Sequence, residues 1–407
     1  MTDHLGAEVC KPSALYAAGK SQVWVVLGLT LGPAVVLGLA RFAYALLLPA
    51  MRAELHWSLG IAGAMNSANA LGYLAGALAT ARLARHYGAR RSFVAGMAIT
   101  VASLLATAAT GDTLVLLALR TLAGITGAVT FITGAGLVAG IAMGSTTRRA
   151  AMLLGIYFAG GGAGIVISGL SVPALLSVMP VSAAWRWGWV LLAALGTAAL
   201  APAWIAARAS HEPPAPPLHD QRWPARRFVA LLASYALFGA GYIAYMTFIV
   251  AFLHDGGAGT GEITAFWAVL GTASMLGAFL WVRPIARLRA GLGTGAVLAV
   301  VAAGAILPLL SRSAPAAVAS AVVFGGSFLA VVTSVTAVAR RSLQPHHWTP
   351  AIATLTVAFA GGQCLGPVLT GVLSEGPAGL RIGLGVSAGL LAAAALTALG
   401  QRHLSPS

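Results

Sequence analysis

The sequence predicts an all-helical integral-membrane protein whose twelve spans form two pseudo-symmetric six-helix bundles. Three observations predict it: the scarcity of charge, the regular punctuation of apolar segments, and short motifs that recur at offsets of 201 and 205 residues. Only 8% of the 407 residues are charged and 59% are hydrophobic, and the mean hydropathy is +0.88. A soluble domain carries about 25% charged residues, so this chain cannot cover a water-facing surface with polar groups. A soluble enzyme, a nucleic-acid binder and a disordered chain are excluded. The net charge of +15 is therefore read by position rather than as a sign of a nucleic-acid partner.

Each crossing of the hydrocarbon needs about 20 apolar residues. Segments of that kind fall at about 22–49, 58–81, 91–110, 113–141, 150–176 and 185–207. A second six run at about 227–254, 262–285, 291–311, 314–339, 349–374 and 378–401. The longest break between them carries Pro213, Pro214, Pro216, Pro217 and Pro224 among charges, the composition of a solvated linker. The chain thus divides into a tail (1–21), a first bundle (22–207), a linker (208–226), a second bundle (227–401) and a short tail (402–407).

Of 24 Lys and Arg, 18 fall on the face shared by both termini, and only Arg52, Arg186, Arg312 and Arg381 on the other. The positive-inside rule places both termini in the cytoplasm, so the expected location is the inner (plasma) membrane. The first 21 residues lack the apolar core and small-residue cleavage site of a signal peptide. Cys10 lies in the tail and Cys364 in an apolar segment, which suggests neither a disulfide framework nor a metal site. No cofactor is expected.

The repeat is legible in three places. Gly38-Leu-Ala-Arg41-Phe-Ala-Tyr44 in span 1 aligns with Gly239-Ala-Gly-Tyr242-Ile-Ala-Tyr245 in span 7, and Phe158-Ala-Gly-Gly161 in span 5 recurs as Phe359-Ala-Gly-Gly362 in span 11, both at an offset of 201. Leu71-Gly72 with Ala81-Arg82-Leu83 matches Leu276-Gly277 with Ala286-Arg287-Leu288 at 205. Matches in corresponding spans at nearly one offset argue for two parallel repeats.

This arrangement resembles the major facilitator superfamily from about residue 22 to 401, through the six-plus-six spans, the basic loop ending Tyr87-Gly88-Ala89-Arg90-Arg91, and Arg120-x-x-x-Gly124 in span 4. Gly38-x-x-Arg41-Phe-Ala-Tyr44 before Leu48-Pro49, with the Gly-rich run from Tyr157 to Gly169, looks like the YbfB/YjiJ branch. One position departs from the superfamily pattern: the usual Asp after span 2 is Arg85, so the charge lock that Asp would make is in doubt. The resemblance implies a secondary transporter with spans 1, 4, 7 and 10 around a central cavity.

Arg41 and Arg120 are the two cations within spans, each on the order of 10 Å below the far surface at 1.5 Å per residue. All nine acids fall in tails, loops or span ends. An unpaired charge at membrane depth is costly and is a functional signal by default. A guanidinium binds a carboxylate bidentately, so the expected substrate is a small organic anion such as a monocarboxylate or sugar acid, moved by proton symport or anion exchange. Backbone hydrogen bonding or snorkelling is the bland reading of either arginine.

Tyr44 follows Arg41 by three residues, and Tyr235, Tyr242 and Tyr245 share span 7; they offer flat walls with hydroxyls or simply pack between helices. Arg41, Tyr44, Arg120, Tyr242 and Tyr245 form the expected substrate site. Asn66, Asn69 and Tyr73 form a stripe on span 2 that reads as helix contact before cavity, and Gln363 in span 11 is equally open to both. Arg82, Arg85, Arg90, Arg91, Arg287 and Arg289 set topology, meet anionic lipid, and by resemblance latch the inner gate. Gly72-x-x-x-Gly76, Gly136-x-x-x-Gly140 and Gly160-x-x-x-Gly164 permit close helix approach.

The expected partners are a small, anionic substrate and the bilayer, with a monomer as the working unit. A rival on the same fold is an exporter of hydrophobic or drug-like compounds, its pocket built on Phe266, Trp267 and the tyrosines. A membrane enzyme or a receptor is the rival from another class. His346-His347 is the one adjacent histidine pair, and it lacks the neighbouring acid or cysteine that catalysis would require.

Overall fold

In a computed structural model, residues 12–180, 184–212, 223–288, 291–376 and 379–402 are described. The first bundle contains span 1 (Pro12–Leu55), span 2 (Leu59–Tyr87), span 3 (Ala89–Ala108), span 4 (Thr113–Ile141), span 5 (Thr147–Val178) and span 6 (Ala184–Ala209). After a short 3₁₀ turn come span 7 (Val229–Asp255), span 8 (Thr260–Leu280, prolonged by Val282–Arg287), span 9 (Gly291–Leu310), span 10 (Ala314–Ser342), span 11 (Trp348–Leu373) and span 12 (Gly379–Leu399). Ten of these are long and apolar enough to cross a membrane. Spans 2 and 8, at 29 and 21 residues, complete the twelve.

Two boundaries differ from expectation. Helix already begins at Pro12, inside the segment read as a polar tail, because Pro suits the first helical position and helix formation does not require apolar residues. Span 6 continues to Ala209, and the proline cluster of the linker lies outside the described residues.

Polar side chains start several spans at the water boundary. Ser58, Asp112, Thr146 and Ser313 accept hydrogen bonds from the backbone N–H of Ile61, Val115, Arg149 and Ala316, which satisfies donors left over at a helix N-terminus. Gly88, at φ +85°, turns the chain between spans 2 and 3 in a conformation that a side chain would strain.

The two bundles pack alike. Span 1 lies on spans 5 and 6, span 2 on 4, and span 3 on 4 and 6; span 7 lies on 11 and 12, span 8 on 10, and span 9 on 10 and 12. Even the close approaches correspond: Gly38 meets the backbone at Gly164, and Gly239 meets the Phe359 carbonyl. The motif Gly72-x-x-x-Gly76 faces the span 4 backbone, and Gly160 and Gly164 face span 1. Gly136 has nothing within 4 Å, so that third motif is not the close contact its spacing suggested.

The bundles meet along spans 2 and 11 and along spans 5 and 8. Three hydrogen bonds cross this seam in the half away from the termini. Gly60 N donates to Glu375 Oε1 at 2.9 Å, Asn66 Nδ2 to Thr247 Oγ1 at 2.7 Å, and Trp267 Nε1 to Ser168 Oγ at 3.3 Å. Gly63 and Gly371 bring the opposing backbones of spans 2 and 11 together there. The seam is closed at the far end, whereas Leu37, Phe131 and Phe359, nearer the termini, are only partly buried.

Candidate functional site

Span 1 is not a continuous α-helix. Residues Ala34–Phe42 form a π-helix, closed by Ala43 N donating to Gly38 O at 3.0 Å. Pro33 supplies no N–H at its start, and Gly38 is pressed on Gly164 of span 5. Such wide turns are rare and frequent at functional sites. This one carries Arg41, which is 4% exposed.

Arg41 Nε and Nη2 are buried and have no hydrogen-bond partner among the described residues. Its Cζ lies 5.3 Å from the Tyr73 ring centroid, a cation–π contact. No carboxylate among the described residues pairs with it. The guanidinium is therefore desolvated, without a counter-charge among the described residues, and set at the seam.

Arg120 is placed differently. Its Nη1 donates to Ala40 O at 2.5 Å and its Nη2 to Asn66 Oδ1 at 3.1 Å, and its Cζ lies 5.0 Å from the Tyr44 ring and 5.7 Å from the Trp189 ring. Two donors are thus used inside the first bundle, one of them on the π-turn that presents Arg41. Tyr44 is fully buried and donates to Ala62 O at 2.8 Å. Asn69 Nδ2 donates to Arg120 O at 3.1 Å. Asn66 and Asn69 thus bond to neighbouring spans, while Tyr73 on the same stripe lies against Arg41.

In the second bundle, Tyr242 occupies the position equivalent to Arg41. Gln363 Nε2 donates to its hydroxyl at 2.6 Å, and the other end of the fully buried Gln363 amide has no partner among the described residues. The Tyr242 ring lies within 20° of parallel to those of Phe238, Phe328 and Phe359, at 5.0, 5.9 and 5.7 Å between centroids. Tyr235 extends the stack through Phe359 at 4.6 Å. Phe42, next to Arg41, meets Phe328 edge-on at 6.3 Å, which ties the stack to the arginine.

Tyr245 leaves the group: it is fully buried and shares a 2.6 Å hydrogen bond with Ser320 inside the second bundle. Trp267 packs on Gly169 in the seam between spans 5 and 8 rather than opening a pocket with Phe266. The phenylalanines at 238, 328 and 359 escaped the sequence reading because single apolar rings look like core. Only their spacing of four from Tyr242, Phe324 and Gln363 carries a signal.

Among the basic groups, Arg82, Arg85, Arg91 and Arg287 are exposed, and Arg289 lies outside the described residues. Arg90 bonds to the Ser210 carbonyl, and its N–H donates to Glu212 Oε1 at 3.0 Å. Glu212, just past the end of span 6, thus holds the start of span 3. A separate cavity of about 180 Å³ lies at the far end of the second bundle beside Arg312 and Glu262, away from Arg41.

Residues 33–399 match the family described as "Uncharacterised MFS-type transporter YbfB". No curated protein sequence matches the chain. Among solved structures, a variant of the nucleoside transporter NupG is similar at TM-score 0.72 and 15% identity, over 94% of this chain and 99% of that one. A bacterial homologue of the human lysosomal transporter Spinster, inward-facing and occupied, is similar at TM-score 0.69 and 18% identity, over 97% of each chain. These likenesses show the fold.

Proposed function

The chain belongs to the YbfB family of MFS-type transporters, and from that premise we propose that it carries a small organic anion, bound by Arg41 at the seam between its bundles. The observation that carries this reading is the buried Arg41 guanidinium with two unpartnered nitrogens. Arg120 adds a second positive charge close by, since its Nη1 bonds to the carbonyl of Ala40, the residue before Arg41. With no acid to offset them, the site has a positive potential that favours a carboxylate. Arg120 then acts by holding the π-turn, and Tyr242 and Tyr73 flank the anion.

The transporter works by alternating access, with both termini in the cytoplasm, in the inner membrane, as a monomer. Protons move on the substrate's own carboxylate, or one anion exchanges for another, since the acids of the described spans, Glu54, Asp255 and Glu262, lie at span ends. The efflux reading loses support from Trp267, which is used in the seam.

The test is uptake of radiolabelled carboxylates into proteoliposomes, wild type beside Arg41→Gln, with and without a pH gradient. Each charge-assisted hydrogen bond contributes about 1.5–3 kcal/mol, so losing a bidentate pair removes saturable uptake at micromolar substrate. Unchanged carboxylate uptake by a folded Arg41→Gln protein overturns the proposal.

A further inference from the structure

The geometry points to a planar aromatic carboxylate as the substrate class, its anionic end on Arg41 and its ring against the aromatic face of the second bundle. This rests on the anion-site reading and narrows it. The first bundle supplies charge: Arg41 over Tyr73. The second bundle supplies no charge but a set of nearly parallel rings, with Tyr242, Phe359 and Phe328 tilted from one another by 7° and 18°. Phe359 is the partly buried member, the one ring of the three that packing leaves partly exposed. Offset stacking of that kind favours a flat π-system over a puckered ring of equal size.

The polar part of the second bundle fits the same shape. Gln363 spends one amide end on Tyr242 and keeps the other unpaired while fully buried. A buried amide end without a partner is costly, and a ring hydroxyl or amino group on the ligand would satisfy it. A short aliphatic acid would reach Arg41 and leave both the rings and Gln363 unused. A neutral nucleobase would use the rings and Gln363 but leave Arg41 uncompensated. Only a flat ring that carries a carboxylate uses all three.

The test compares benzoate and 4-hydroxybenzoate with cyclohexanecarboxylate, which matches benzoate in charge and carbon count but is not flat. Lactate and uridine complete the set. Binding to detergent-purified wild-type protein is measured by displacement of radiolabelled benzoate and, independently, by calorimetric titration of each compound. The expected result is benzoate binding about tenfold tighter than cyclohexanecarboxylate, with 4-hydroxybenzoate tighter again. Phe359→Leu should erase the preference between the two rings while a residual, Arg41-dependent affinity remains. Equal affinity of benzoate and cyclohexanecarboxylate, with both lost in Arg41→Gln, overturns the aromatic slot and leaves the anion site standing. Binding of uridine with no carboxylate bound overturns both. Because the ring comparison is made on wild type, it decides the question even if Phe359→Leu does not fold.

Discussion

Arg120 Nη1 donates to the Ala40 carbonyl at 2.5 Å, so the cation of span 4 holds the peptide that immediately precedes the cation of span 1. The two arginines share a depth but not a task. Arg120 places Nη1 on Ala40 and Nη2 on Asn66 and leaves only Nε without a partner among the described residues; Arg41 leaves both Nε and Nη2 so.

Removing Arg120 should therefore damage the fold. Arg120→Gln leaves the Ala40 carbonyl and Asn66 without their charged donor, at a cost of about 1.5–3 kcal/mol for each hydrogen bond lost. The melting temperature of the detergent-solubilised protein falls, and Arg120→Lys recovers part of the loss because a point charge replaces the planar fork. An unchanged melting temperature would contradict the assignment of Arg120 as the group that positions the π-turn.

Neutralising Arg41 should have the opposite thermal sign. Its guanidinium is desolvated without compensation, and replacing such a charge is neutral or stabilising. Arg41→Gln is expected to melt at or above the wild-type temperature while uptake is lost. Arg41→Lys should keep weak transport with a raised KM, because lysine cannot form the two-pronged contact. A marked fall in melting temperature for Arg41→Gln would show a structural role instead.

Glycine at the far seam should control closure. A Cβ at Gly63 would collide with the Pro367 carbonyl of the other bundle, whereas one at Gly76 would collide with the Ile125 carbonyl of its own bundle. Gly63→Ala is expected to speed labelling of a cysteine placed at Ser168, which is buried in the closed seam, by about tenfold, through a shift toward far-side opening, with little thermal change. Gly76→Ala should instead lower stability by about 1–3 kcal/mol, the usual cost of overpacking. Identical behaviour of the two variants would refute this division of roles.

Glu375 lies beyond the end of span 11 and accepts the Gly60 N–H across the seam. That backbone bond first, then the Ser58 hydroxyl and Arg52, hold its carboxyl below the ordinary value of 4.5. A depressed carboxylate contributes stability above its ordinary value and loses it as pH falls through the lowered one. Far-end closure should thus be insensitive to pH near neutrality and weaken only below about pH 4.5. Labelling of a cysteine placed at the buried seam residue Ser168, as a function of external pH, checks this, and Glu375→Gln should flatten the acid response. A response centred near pH 6–7 would require another group.

The number and order of the spans were legible in one dimension because the hydrocarbon demands contiguous apolar runs, and such runs are read without knowing any contact. The duplication was legible for the same reason, since it is a property of order along the chain. Arg41 was also within reach, because a cation inside a span, with every acid in a tail, a loop or at a span end, is visible by inspection. What the sequence could not determine was the rotation of each helix about its axis. A π-helical turn at Ala34–Phe42 sets where Arg41 points. Contacts between residues far apart in sequence send Tyr245 to Ser320, bind Arg120 to Ala40 and Asn66, and line up Phe328 and Phe359 with Tyr242. Partners drawn from different spans decide which polar groups are satisfied and which are left for a ligand, and tertiary packing alone brings those partners together.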